Sequence, residues 1–257
     1  MNLFVDTHAH LYFEEYANDL DAVVARARQT LSHVLLACVD SESLPELLVV
    51  SEKYPGFCLP MIGLHPCYVK ENYKEELATL ARFFDQKINF VAVGEVGMDL
   101  YRDRTFLIEQ QEAFDMQIQW ALEHKLPLVI HCREAFKEVA TILAPYKNTA
   151  LRGVFHCFSG TLEEAQAVVE MNFLLGIGGI VSFPKSNLPA IVRQVGLEHI
   201  VLETDCPYLA PVPYRGKRNE SAWVKEIGDK IAEITGLSSE KIAITTTGNA
   251  QKLFRLT

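Results

Sequence analysis

The sequence predicts an α/β protein folded as a TIM-type (β/α)8 barrel, with residues 1–257 as a single barrel domain. Three observations carry that expectation. Eight short, near-continuously apolar runs recur along the chain with amphipathic segments between them, as for parallel strands buried on both faces. The length of 257 residues suits one α/β barrel. Polar, titratable residues sit at the C-terminal ends of six of the runs. A barrel gathers such ends onto one face, whereas an open doubly wound sheet would string them along an edge.

The first run is "LFVDTHA" (3–9), continuing through His10. Alternate side chains of a strand share a face, so Asp6, His8 and His10 are expected to point one way. Two imidazoles aimed at one spot suit a metal ion, and a solvated strand end is the alternative. "EEYANDLDAVVARARQTL" (14–31) has helical apolar spacing, and "HVLLACV" (33–39) is the second run. "CLPMIGL" (58–64) leads into "GLHP" with His65, and "NFVAVGEV" (89–96) places Glu95 in an apolar setting. A buried carboxylate there needs a partner. "QQEAFDMQIQWALEHK" (110–125) carries the stripe Phe114, Ile118, Ala121 and Leu122. "LPLVIHC" (126–132) ends at His131 and Arg133, and "RGVFHCF" (152–158) contains His156. "TLEEAQAVVEM" (161–171) reads as a helix capped by Ser159-Gly160. "FLLGIGG" (173–179) is the seventh run, and "HIVLETD" (199–205) ends with Glu203 and Asp205.

The chain is 49% hydrophobic and 22% charged, an ordinary globular balance, with a net charge of −9. That charge argues against a protein that coats long nucleic acid, and leaves room for a local basic patch. No apolar run approaches the ~20 residues of a membrane helix, and no signal-peptide pattern opens the chain. Six cysteines without a C-x-x-C pair fit a reduced, cytoplasmic protein. Cys132 and Cys157 follow proposed ligands, so a regular strand turns them away as packing residues. His33, His124 and His199 read as structural or solvated.

Imidazoles and carboxylates together make a mixed N/O donor set, which suits Zn²⁺, Mn²⁺ or Fe²⁺ more than Ca²⁺. Six ligands exceed one tetrahedral ion and fit two ions sharing a carboxylate, an arrangement that activates water and clamps a leaving oxygen. A purely structural metal site is disfavoured, because those are closed and four-coordinate.

"VDTHAHL", "GLHP", "GEVGMDL", "HCREA", "HCFSG", "ETDCPYLAP", "RGKRNE" and "TTTGNAQKLF" together resemble the TatD family of metal-dependent hydrolases and deoxyribonucleases, one of the amidohydrolase-type barrels. The likeness runs from Asp6 to Phe254 in family order. It implies two divalent cations (Zn, Mg or Mn) held by His8, His10, Glu95, His131, His156 and Asp205, with Glu95 bridging. It also implies Asp205 as the base that takes the proton of the attacking water, with His65 as the other group able to activate it. Val96 and Met98 replace the frequent Ile and Leu at conserved volume. Ser221 replaces a usual proline at what reads as the start of the last helix.

The segment "PYRGKRNE" (213–220) follows the eighth run and belongs on the site's face. Arg215, Lys217 and Arg218 there, and Arg133, are expected to bind substrate phosphate, as late loops of such barrels often do. Arg102 and Arg104 add to this charge, and Tyr101, Phe158 and Tyr208 either stack bases or pack the loops. The expected function is a metal-dependent deoxyribonuclease of exonuclease type, acting on DNA ends or another phosphodiester. The alternative is an amidohydrolase-type hydrolase of a small metabolite (amide, lactone or phosphoester). No membrane and no obligate protein partner is expected.

Overall fold

The structure is a computed structural model that describes residues 3–257. Strands and helices alternate as β1 (Phe4–Ala9), α1 (Leu20–Ala27), β2 (Leu31–Leu36), α2 (Leu44–Lys53), β3 (Cys58–Ile62), α3 (Tyr73–Ala81), β4 (Ala92–Asp99), α4 (Leu107–Glu123), β5 (Leu128–Arg133), α5 (Phe136–Leu143), β6 (Gly153–Phe155), α6 (Leu162–Glu170), β7 (Phe173–Ile177), α7 (Leu188–Val195), β8 (Ile200–Leu202), α8 (Val224–Thr235) and α9 (Ser239–Phe254). The strands lie side by side in chain order, each parallel to the next. The ends of this sheet meet. The His10 N–H donates to Cys206 O and the Asp205 N–H to His8 O, both at 2.9 Å, and Ala9 bridges Cys206 in parallel. The sheet therefore closes as the barrel that the sequence predicts.

Two apolar layers hold it. An inner cluster draws Val5, Leu35, Met61, Ala92, Val129, Val154 and Val201 from seven strands, with Leu174 of the eighth packed against it. Ala250, Leu253 and Phe254 of α9 belong to the same cluster, so this helix plugs one end of the barrel. The larger outer cluster joins the remaining strand residues to the buried stripes of the helices. The lumen is thus packed, and chemistry is left to the loops after the strands.

Local differences from the sequence reading have simple causes. The segment expected as one helix over 14–31 divides into a 3-10 turn, Glu14–Tyr16, and α1. Helix α6 is capped by Thr161, whose side chain accepts from the Glu164 N–H while Glu164 accepts from the Thr161 N–H, so Ser159-Gly160 is not the cap. Ser221 begins a 3-10 turn ahead of α8, the penultimate helix. β6 and β8 stop after three residues each, which matters for the groups that follow them.

Candidate metal centre

Each strand end delivers its side chain by a local device. Glu95 lies in β4 at a register shift against β5 between Gly94 and Val96, and its N–H donates to Cys38 O across the barrel. Such irregularities re-aim a side chain. Gly97 has φ +129, and a Cβ there would fall 2.1 Å from His131 O, so only glycine lets β4 run this close to the histidine on β5. Two buried glutamines of α4 fix the neighbouring strand ends. Gln110 binds the backbone N–H and C=O of Asp99, and Gln117 those of Leu64, next to His65.

Glu95 is the centre of the cluster, its side chain 3% exposed. Its Oε2 faces His8 Nε2 at 3.1 Å and His10 Nε2 at 3.8 Å. Asp205 Oδ1 lies 3.8 and 3.5 Å from the same two nitrogens, which are themselves 3.2 Å apart. Glu95 Oε1 faces His131 Nδ1 at 2.8 Å, His65 Nε2 at 3.2 Å and His156 Nε2 at 3.6 Å. All six ligands expected from the sequence converge, and His65 joins them. Asp205, 15% exposed, is the solvent-facing carboxylate.

A second ring orients the first. Asp99 Oδ2 is 2.9 Å from His131 Nε2 and Glu203 Oε1 3.0 Å from His156 Nδ1. The latter pair is close but too poorly aligned to count as a hydrogen bond, and Glu203 Oε2 has no partner among the described residues. His10 Nδ1 lies 3.2 Å from Ala37 O. Asp6 does not reach the cluster: its carboxylate accepts from the Thr204 N–H and hydroxyl and pins β1 to the end of β8. The sequence assigns no role to Asp99 or to Glu203, although both stand in its quoted motifs and Glu203 at a strand end.

The electrostatics suit a cation. Burial raises the Glu95 carboxyl, but the imidazoles of His65, His156 and His8 outweigh it and hold the group well below the usual carboxylate range. Burial would raise Asp205 too, yet His10, His156 and His8 keep it low. Burial pulls the His8 and His65 imidazoles down towards the neutral form that ligates metals. Burial opposes charge on His156 as well, and there the carboxylates of Glu203 and Glu95 win, lifting it to about 10, so a metal bound there takes the place of a proton. The donors also fit a metal sterically. Tetrahedral ligands at ~2.0–2.1 Å from an ion stand about 3.3–3.4 Å apart, and His8, His10, Glu95 and Asp205 span 3.1–3.8 Å. Two buried imidazole nitrogens that face each other at 3.2 Å suit a shared cation.

The expected substrate residues part company. Arg218 forms a two-pronged pair with Asp19 at 2.7 and 2.8 Å and lies 4.6 Å over the Tyr16 ring. Its guanidinium fastens the β8–α8 loop to the β1–α1 loop, so its donors are engaged on Asp19 rather than turned to the cluster. Arg215 lies 4.2 Å over Phe183 and Lys217 5.6 Å over Tyr214, itself stacked on Trp223, and neither pairs with an acid among the described residues. Arg133 covers the Tyr101 ring at 3.8 Å, and Arg104 is spent on Leu100 O and Glu134. Phe158 is buried in the loops, while Tyr101 and Tyr208 are more than half exposed, at 58% and 51%. Cys132 packs against the core, as expected. Cys157 does not turn away: it lies beyond β6 with φ +47, and its thiol groups with His156 and Glu203.

A closed barrel with a His/Glu/Asp cluster at the C-terminal ends of its strands defines a metal-dependent hydrolase. The family model for TatD related DNase matches residues 5–255, and the chain belongs to that family. It is 37% identical to the uncharacterized metal-dependent hydrolase YabD of Bacillus subtilis (strain 168), over 99% of this chain and all of the relative. It is 33% identical to the 3'-5' ssDNA/RNA exonuclease TatD of Pantoea vagans (strain C9-1), over 98% and 99% of the two chains. Among solved structures, the TatD homologue YJJV of Escherichia coli K12 superposes with a TM-score of 0.93 at 26% identity, covering both chains fully.

Proposed function

We propose that this hydrolase cuts phosphodiester bonds at the ends of single-stranded nucleic acid, using two divalent cations of the Zn, Mg or Mn type. The observation that carries the reading is the division of Glu95, whose two oxygens face separate nitrogen sets. His8, His10, Asp205 and Glu95 Oε2 would hold one cation, and His131, His156 and Glu95 Oε1 the other. Bound there, the pair lowers the pKa of water towards ~7 and polarises a phosphoryl oxygen. Asp205 is solvent-facing and ionised, and takes the proton of the attacking water on a carboxylate oxygen. His65 stands across Glu95 Oε1 and orients the same water. Asp99 and Glu203 hold the imidazoles behind the site in their ligating orientation. Arg133, which pairs with no acid among the described residues, draws the phosphate to the mouth, and Arg215 and Lys217 extend that grip. The exonuclease name of the Pantoea relative supports nucleic acid as substrate. The whole chain is taken as one barrel domain, which a single cooperative melting transition would bear out.

The deciding assay supplies Zn²⁺, Mg²⁺ or Mn²⁺ and compares a single-stranded oligonucleotide, a blunt duplex and a panel of amides and lactones. End-wise release of nucleotides from the single strand is expected. Turnover confined to amides or lactones would overturn the reading in favour of a small-metabolite hydrolase.

A further inference from the structure

The β8–α8 loop was the expected phosphate grip, but its cations lie on rings or on Asp19. A different part of the lip is unspent. Among the described residues Arg102, exposed just after β4, has no side-chain hydrogen bond and no ion-pair partner. Two exposed tyrosines on other loops stand at the same mouth. Tyr68, after β3, is 46% exposed, and its ring meets His65 edge-on at 6.0 Å. Tyr208, after β8, is 51% exposed, and its N–H donates to Asp205 O. Its ring meets Phe13 at 6.4 Å, and Phe13 stacks flat on His10 at 4.8 Å.

All three stand at the mouth of the metal-binding cluster: Tyr68 against His65, Tyr208 on the loop of Asp205, and Arg102 with its N–H on Asp99, which pairs with His131. The Arg102 charge acts on both phenols. Tyr68 also feels Glu95, and Tyr208 feels Asp205. Each ring is braced on its inner side, by His65 or Phe13, and keeps exposed surface on its outer side. An exposed ring beside a free guanidinium has the chemistry of a nucleotide site: the guanidinium suits phosphate, and the ring suits a base face.

We propose that Arg102, Tyr68 and Tyr208 form a nucleotide-binding subsite at the lip, in which Arg102 takes a backbone phosphate and the two tyrosines stack on unpaired bases beside the bond to be cut. The inference deepens the proposed nucleic-acid function and rests on it. It supplies a physical cause for choosing single strands, because the bases of a blunt duplex end already stack on their neighbours and cannot splay onto two rings.

The experiment compares kcat/KM for a single-stranded oligonucleotide and for the same strand with abasic tetrahydrofuran residues at its ends. Base–aromatic stacking of ~1–3 kcal/mol per base predicts a ~5- to 150-fold preference for natural ends. Tyr68→Ala and Tyr208→Ala should each shrink that preference, and the double variant should bring it near one. Tyr→Phe at either position should restore it, since the ring and not the hydroxyl does the stacking. Arg102→Gln should raise KM on both strands and flatten its salt dependence by ~0.7 in log–log slope, as for one lost phosphate contact. An unchanged preference in the double variant, or equal losses on both strands, overturns the subsite. If the loaded wild type cuts neither strand, the nuclease reading fails by itself. The subsite is then decided by fluorescence anisotropy with a phosphorothioate-capped strand: base-dependent binding lost in the tyrosine variants retains it, and its absence removes it.

Discussion

Gly176 lies in β7, opposite Val201 of β8, and the carboxylate of Glu203 occupies the space that a side chain would fill. A Cβ at this position falls 2.3 Å from Glu203 Oε2 and 2.8 Å from its Cδ, where ordinary contact begins at 3.4 Å. Gly176→Ala therefore drives a buried carboxylate back by about 1 Å. That carboxylate has little freedom, because its Oε1 sits 3.0 Å from His156 Nδ1 and accepts from the Cys157 N–H at 2.5 Å. A retreat of this size removes both contacts. Loss of such an outer partner of a ligating histidine typically costs 10- to 100-fold in metal affinity, or about 1.4–2.7 kcal/mol.

The assay is calorimetric titration of Mn²⁺ and Zn²⁺ into metal-stripped protein. On the proposed arrangement, an ion at His131, His156 and Glu95 Oε1 should weaken by that factor, and one at His8 and His10 should change less. Gly178→Ala is the control, since its Cβ meets nothing nearer than Glu203 O at 3.6 Å. It should bind both ions as the parent does. If Gly176→Ala proves too unstable to titrate, Glu203→Gln asks the same question at nearly constant volume. Wild-type affinity for both ions in a folded Gly176→Ala protein, or equal weakening in Gly178→Ala, would refute the role given to Glu203.

Three further outcomes are expected. Asp205→Asn should lower turnover by ~10²–10⁴-fold, the usual worth of a general base, and a near-parent rate at unchanged metal content would hand the proton to His65. Arg218→Ala should lower stability in chemical denaturation by about 1 kcal/mol, as for a favourable surface ion pair, and a loss of DNA affinity without loss of stability would restore it as a phosphate ligand. Burial pushes the thiols of Cys38 and Cys58 up to about 12, from an ordinary value of 9.0. Below pH ~9 neither state releases these protons, and above it the unfolded chain does so first. Stability should hold up to that pH and then fall by about 1.4 kcal/mol per pH unit for each thiol until ~12. Cys58→Ala should show the shallower decline, and a flat urea-denaturation profile to pH 11 would contradict the argument.

What the sequence disclosed, and what it withheld, follows from one boundary: the last hydrogen-bonded residue of each strand. Inside the strands, burial on both faces writes a continuous apolar run, so all eight were readable. A histidine or carboxylate at the end of such a run is conspicuous, so the ligand types were readable too. Beyond that end, alternation stops guiding direction. Glu203 and Asp205 are two residues apart, and in a strand they would share a face. β8 ends at Leu202, however, and Asp205 has φ +54, so one carboxylate goes behind His156 and the other enters the cluster. Cys157 escapes its expected face for the same reason, one turn past the end of β6. Arg218 was opaque for another reason: its partner Asp19 is 199 positions away, and only barrel closure brings them together.

Charge then links the cluster to the lip. Glu95, Asp99, Glu203 and Asp205 crowd one mouth in a protein of net charge −9. A phosphodiester anion approaching carboxylates at such short range meets repulsion that screening does little to relieve at a partly buried site. Arg102 and Arg133 offer two positive charges at the rim, against four carboxylates within. Two divalent cations would bring four more and reverse the sign of the field. Metal loading and substrate affinity must therefore be linked, each strengthening the other by the same factor. An oligonucleotide should bind the metal-stripped protein far more weakly than the loaded one. Equal affinity in the two forms would mean that the strand is held wholly outside the field of the cluster, and would overturn a subsite at Tyr208, whose N–H donates to Asp205 O.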